Sequence, residues 1–490
     1  MFGNDLNFMA DKAGKKMSGE NVDVVAALMD VQVAEEGLLV ASANYDMLVT
    51  ACENIEAGVA LGEAIAAKGD EASAVVVARE SLRQNLKVLG QEHVVGMVVT
   101  AGTESITAAN EGITDMLKKA WEKTKEIAMK IWNWIVDLVS KVGHFLASLV
   151  GKGDTTYERL VKLVKKHKDN KMTNLDGQEF SESTQKAIAK KIKILAASKK
   201  TSSSKIVEAL TGIGNKMNTF EGDKSTFGEF VDADVSIFGS DALTAGDIVE
   251  KGNTIIGKLI KDEMKANIAI SGTVGLENDT KDAIVTKAEE VAGSADKGSI
   301  EILGYGFNKV YCVVIGVNDD YADASKNWET VETKQNSDEF DVAKAATTLN
   351  KLLKTVYVHE FVYEPEPSEY EDNVKDISPL EFPEVEDIMK EMKDVDKKAV
   401  KVVKSYGNKI DKHKKDIEKV LKAKFTEASG RDGAEKSVAG KLRSAVSALI
   451  NIKTKISKAK ASAVTNMARD LLVSPVYDYC AESAKLYKKD

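Results

Sequence analysis

From residue 115 to 151 the chain alternates apolar and polar positions with the period of a single long helix. Apolar side chains fall at Trp121, Ala128, Ile131, Ile135, Leu138, Val142, Phe145 and Leu149, in alternating steps of three and four with Thr124 as the one weak member. That is the heptad-like stripe of a helix with one face to bury. Glu126, Lys130, Asn133, Asp137, Lys141, His144 and Ser148 form an opposed polar stripe, and Gly151-Lys152-Gly153 supplies a stop. A helix divided in this way must dock on something: its own bundle, another copy or shell protein, or a membrane surface. Trp121, Ile131, Trp132, Trp134, Ile135, Leu138, Val142, Phe145 and Leu149 are therefore candidates for a partner- or membrane-docking face, and they include three of the chain's four tryptophans.

Two further long stripes close the chain. Over about 383–428, Val385, Ile388, Met392, Val395, Ala399, Val402, Tyr406, Ile410, Ile417 and Val420 share a face; over about 435–472, Val438, Leu442, Ala445, Leu449, Ile452, Ile456, Ala459 and Met467 do. Ser429-Gly430-Arg431-Asp432-Gly433 joins them as a turn, so they are expected to form an antiparallel helical hairpin. Residues 220–363 differ in texture. Ser299–Val317 alternates, is rich in β-branched residues and predicts a hairpin turned near Phe307-Asn308-Lys309; Lys354–Glu364 and Phe230–Gly239 read as further strands. Helices near 244–267, 279–292 and 340–354 lie between them, giving a small α+β domain. Shorter helices are expected at 21–52, 54–67 and 71–89, and again at 155–169, 181–199 and 203–218.

The fold class that follows is mainly α, with a small α+β domain, long amphipathic helices and a C-terminal antiparallel helical hairpin. Five regions result: 1–153, acidic, Ala-rich and ending in the Trp-marked helix; 154–219, basic and helical; 220–363, the α+β domain; 364–383, an acidic Pro-containing linker; and 384–490, the hairpin. Composition strengthens the helical reading. The chain has five prolines in 490 residues, the first of them at Pro365, and proline is what interrupts helix interiors.

The net charge of −9 is strongly segregated. Residues 17–67 carry nine acidic side chains and no Lys or Arg, residues 360–387 carry eleven acidic and one basic, and residues 436–469 carry eight basic and no acidic. Such blocks imply ordered electrostatic contacts. In the last of them, Lys441, Arg443, Lys453, Lys455, Lys458 and Lys460 could neutralise phosphates without reading sequence; the alternative is a solvated face or a partner for the acidic blocks. No aromatic side chains interleave with them, which argues against base stacking.

Catalytic signatures are missing. No phosphate-binding P-loop, HExxH zinc motif or nucleophile elbow occurs, and Gly212-Ile213-Gly214-Asn215-Lys216 sits in a helical context. The five histidines and three cysteines make no metal spacing and no disulfide framework, which fits a reducing compartment. No metal or cofactor is expected. Asn133, Asp137, Lys141 and His144 interrupt the one apolar run long enough to span a bilayer, at 131–150, and each central charge there costs about 2.5–3.5 kcal/mol.

An Ala/Glu-rich acidic lead running into WEKTKEIAMKIWNWIVDLVSKVGHFLASLVGKG resembles, in style over residues 1–153, the internal head (inner-body) proteins of jumbo tailed bacteriophages. Those carry a W-x-x-(I/F)-x-x-(F/W)-(F/W) helix ending in Gly-Lys. The resemblance implies a non-enzymatic virion protein made in the host cytoplasm and packaged inside the head. Its partners would be capsid or other virion proteins, its own copies, and DNA bound without sequence preference. It also implies trimming after a glutamate that follows a small residue two places earlier, for which Glu20, Glu36 and Glu53 qualify, with the basic-free block as an acidic propeptide. Two other classes stay open: a membrane-active helical protein, pore-forming or injected, and an enzyme carried by the α+β domain.

Overall fold

The computed structural model describes residues 106–151, 156–192, 245–259, 268–271, 278–292, 298–364 apart from 307 and 308, 377–427, 434–472 and 475–489, with scattered helical positions between 33 and 85 and between 204 and 215. The Trp-marked helix, α1 (Ile106–Gly151), has 46 residues and so extends about 69 Å. It runs through Gly112; one interior glycine costs only about 1 kcal/mol, which a helix of this length absorbs. Helices α2 (Thr156–Asp169) and α3 (Glu182–Lys191) follow, α3 capped by the Ser181 hydroxyl, which accepts from the Thr184 amide.

The α+β part opens with α4 (Ala245–Leu259). It continues through β1 (Ile268–Ser271), α5 (Asn278–Ala292), β2 (Gly298–Tyr305), β3 (Val310–Val317), α6 (Tyr321–Thr333), α7 (Val342–Lys354) and β4 (Val356–Tyr363). The sheet order is β1-β2-β3-β4, with β1 parallel to β2 and the other neighbours antiparallel. The expected hairpin is present: β2 and β3 pair, and the Gly306 amide donates to the Lys309 carbonyl across the turn at 2.8 Å. β4 occupies the expected third strand, whereas the segment 230–239 lies outside the described residues. Two elements of this part escape the sequence pattern. β1 has four residues, too few for an alternation to register. α6 buries only Ala324, Trp328 and Val331, a stripe too sparse to stand out.

β3 is buried along its whole length, so both faces of the sheet are covered. Helix α9 (Ala434–Leu472) packs on β2, β3 and β4, and α5 reaches β1 and β4. Helix α8 (Phe382–Glu427) and α9 form the expected antiparallel hairpin, with the Tyr406 hydroxyl donating to the Ser457 carbonyl at 3.3 Å. All ten expected apolar positions of α8 are buried, and His413 fills the place between Ile410 and Ile417. Helix α1 lies along α8 and also touches α9. Gly143 and Gly407 ease the approach of α1 and α8: a Cβ at either would sit 3.4 Å from a valine methyl of the other helix.

The chain ends in α10 (Pro475–Ala484), which packs on α2 and α3. The linker reading fails at its C-terminal end. Ile377 and Leu380 are 1% and 2% exposed. The Ser378 carbonyl accepts from the Tyr479 hydroxyl at 2.6 Å, and the Leu380 carbonyl accepts from the Tyr487 hydroxyl at 2.9 Å. Two apolar side chains three residues apart suffice to anchor the end of a segment whose composition suggests an extended linker.

Candidate nucleic-acid interface

The tryptophan stripe is not an open docking face. Trp121, Ile131, Trp132, Ile135, Leu138 and Val142 are 3% exposed or less, covered by the chain's own helices. The Trp132 indole donates to the Thr454 hydroxyl of α9 at 3.1 Å. Thr124, the weak member of the stripe, is satisfied within its own helix by the Ala120 carbonyl at 3.0 Å. Trp134 points off the stripe and is half-buried; its ring lies where a Cβ on Gly37 would come within 2.7 Å. The side chains of Phe145 and Leu149 lie outside the described residues. For Trp121, Ile131, Trp132, Ile135, Leu138 and Val142 the partner- or membrane-docking assignment is therefore corrected: a heptad seam on one helix is equally the seam of an intramolecular bundle, and here α8, α9 and the helical positions near 34–55 fill it. Among the described residues no helix is long and apolar enough to cross a membrane.

The basic block of α9 is corrected as well. Lys453 and Lys460 are 2% and 3% exposed, Lys455 and Lys458 are half-buried, and the Lys458 ammonium donates to a Glu360 carboxylate oxygen on β4 at 2.6 Å. Lys453, Lys455 and Lys460 have partners of their own within the fold. A phosphate cannot reach a cation in the middle of the molecule, so these lysines are not a nucleic-acid surface. The side chains of Lys441 and Arg443 lie outside the described residues. The small residues of α9 explain its place. Ala445, Ser447, Ser457, Ala459, Ala461 and Ala463 are buried on several sides of the helix, which lets α1, α8, α7 and the sheet all approach it. A lysine stem can lie along apolar neighbours while its ammonium reaches a polar partner, as Lys458 reaches Glu360.

The accessible cationic face is on α8. Opposite its buried stripe, Lys390, Lys393, Lys397, Lys401, Lys404, Lys412, Lys415, Lys419 and Lys422 are all exposed. At 3.6 residues per turn they fall within an arc of about 100° and extend for about 48 Å, with Asn408 occupying the one missing place. Lys415 pairs with Asp411 at 2.6 Å and Lys419 with Asp416 at 3.9 Å on the same helix. The hydrogen bond from Lys415 holds the Asp411 carboxyl below its ordinary range and raises the Lys415 ammonium. The 3–4 spacing of these lysines is visible in the sequence. It is hidden there by interspersed Asp and Glu, which keep the local net charge modest although most of them point elsewhere.

Other chemistry is sparse among the described residues. Cys52, Cys312 and Cys480 are free and buried, and burial pushes the Cys480 thiol well above its ordinary value, the opposite of an activated nucleophile. No group of three His, Cys, Asp or Glu side chains is placed to hold a metal. His359 stacks at a tilt on Tyr357, with ring centroids 5.5 Å apart, and His167 meets Tyr487 edge-on at 5.9 Å. Burial lowers the pKa of both, with further contributions from Lys455 at His359 and Lys166 at His167. Both rings bind protons less readily folded than unfolded. Their contribution to stability is thus full above the unfolded value of about 6.5 and is lost as the pH falls through it. His359→Gln is expected to flatten the drop in Tm between pH 7 and pH 5, followed by circular dichroism; an unchanged profile would remove His359 from that dependence.

Of the three processing candidates, Glu36 is exposed at a helical position beside the buried Ala34. Glu20 and Glu53 lie outside the described residues. The chain matches no family model, and no curated protein or solved structure is significantly similar to it.

Proposed function

We propose that this protein is a non-enzymatic virion protein held inside a phage head, where it lies against packaged DNA without reading its sequence. The observation that carries the reading is the lysine face of α8. It is a straight, exposed row of cations on a helix whose other side is anchored in the core, so the row keeps its geometry when a polyanion approaches. A face about 48 Å long runs beside about 14 base pairs of duplex at 3.4 Å per pair. Contacts of this kind reach phosphates and not base edges, and they position a protein on DNA without specifying a site. The net charge of −9 is compatible with this, because the acidic blocks 17–67 and 360–387 precede the lysine row, which begins at Lys390.

Purified virions examined by mass spectrometry are expected to contain the chain, and its absence would sink the proposal. With a 30-base-pair duplex, binding followed by fluorescence anisotropy is expected to weaken steeply with salt and to be equal for two unrelated sequences. Salt-independent binding, or none at low salt, would leave the α8 row as a solvated face.

A further inference from the structure

The described residues between 33 and 61 are all helical, and their burial keeps one phase. Ala34, Leu38, Tyr45, Leu48, Cys52 and Ile55 face the core at 5% exposure or less. Cys52 lies 3.8 Å from the Thr124 hydroxyl of α1. On the far side, Val33, Val40, Met47 and Leu61 are 53–62% exposed, at intervals of seven with Asn54 completing the series. Asn54 donates to the Asn85 side chain at 3.2 Å, which closes the seam at that point. Of the six large apolar side chains exposed among the described residues, four belong to this row. A heptad repeat of valine, methionine and leucine turned to water is the pattern of a helix lacking its partner helix.

The upstream end of the row opens into a groove of about 540 Å³ whose lining includes Val33, Gly37, Val40, Ile127 and Trp134 together with Glu36 and Lys130. Gly37 makes the groove, since any side chain there would meet the Trp134 ring. Charge identifies the occupant. Residues 17–67 hold nine carboxylates and no Lys or Arg, so a second copy docked along the same row would set like charges against each other, which opposes association. We infer that the 33–61 seam docks an amphipathic helix of another protein, apolar at its a and d positions and carrying lysine or arginine at the flanking e and g positions. This surface is separate from the lysine face of α8, so the inference does not depend on DNA binding.

The test uses the full chain and two labelled synthetic helices of four heptads, both with leucine at a and d, one with lysine and the other with glutamate at e and g. Anisotropy is expected to show micromolar binding of the lysine helix and at least 30-fold weaker binding of the glutamate helix. Val40→Asp with Met47→Asp is expected to weaken the lysine helix more than tenfold. Mere attraction to an acidic protein would instead strengthen with the added carboxylates. The mutated side chains are exposed, so the thermal melt should be unchanged and a folding defect is separable. Equal binding of the two helices, no binding, or no loss in the double variant overturns the inference. A dimer in analytical ultracentrifugation that the double variant dissolves overturns it in favour of self-association.

Discussion

Trp132→Ala is expected to lower the free energy of unfolding by about 3–5 kcal/mol, the usual cost of removing a large aromatic from a sealed core. Trp132 is 0% exposed, and its indole reaches across to Thr454 of α9, so the substitution opens a cavity where α1 and α9 meet. Trp132→Phe keeps most of the packing and is expected to cost less, about 1–2 kcal/mol, chiefly from the lost hydrogen bond. Thr454→Val provides the second arm of a double-mutant cycle. A coupling energy between the two positions would place the indole–hydroxyl contact in solution. Urea unfolding, followed by tryptophan fluorescence and far-ultraviolet circular dichroism, measures all four. A surface docking residue behaves differently: its removal changes stability by less than about 0.5 kcal/mol and changes binding instead. A near-neutral Trp132→Ala would restore the docking reading of this helix.

The second large effect is expected on the solvent face of α8. Replacing Lys397, Lys404, Lys412 and Lys422 together by Gln removes four exposed cations from α8, outside the Lys415–Asp411 and Lys419–Asp416 pairs. Each phosphate contact contributes about 0.9 to the slope of log K against log salt, so the slope is expected to fall by about 3.6, and affinity at physiological salt by roughly a thousandfold. The exposed side chains carry little of the fold, so the urea midpoint should hold. Replacing Lys453 and Lys460 of α9 is the contrasting control. Those lysines are buried, and their loss should appear in stability and leave the salt slope as it was. The reverse result, with the α9 pair changing DNA affinity and the α8 set not, would return the nucleic-acid surface to the C-terminal basic block.

The two corrections share a physical origin. Periodicity shows that Trp121 through Val142 lie on one face of α1, and that the lysines between 441 and 460 belong to one helix. It does not show what stands opposite either one. A stripe facing a sister helix and a stripe facing a partner have the same spacing, because both are set by the 3.6-residue turn. The clue to α9 lay in its uncharged residues, alanines and serines on several sides, which suit a helix with neighbours all round. The lysine row of α8 was legible in spacing but less so in local net charge, since Asp and Glu between the lysines reduce the sum although most of them lie off the face.

By itself the sequence determined the long helices and their buried faces, the hairpin of α8 and α9, and three of the four described strands, the β2–β3 pair and β4; β1, α6 and α10 were not legible in it, and the segment 230–239 lies outside the described residues. These properties depend on neighbours a few residues apart, where steric and hydrogen-bonding rules act directly on the chain. Only the tertiary structure decided which helix is central and which cations reach water. Burial is a property of contacts between segments far apart in the chain, such as the 322 residues separating Trp132 from Thr454, and no local pattern encodes them.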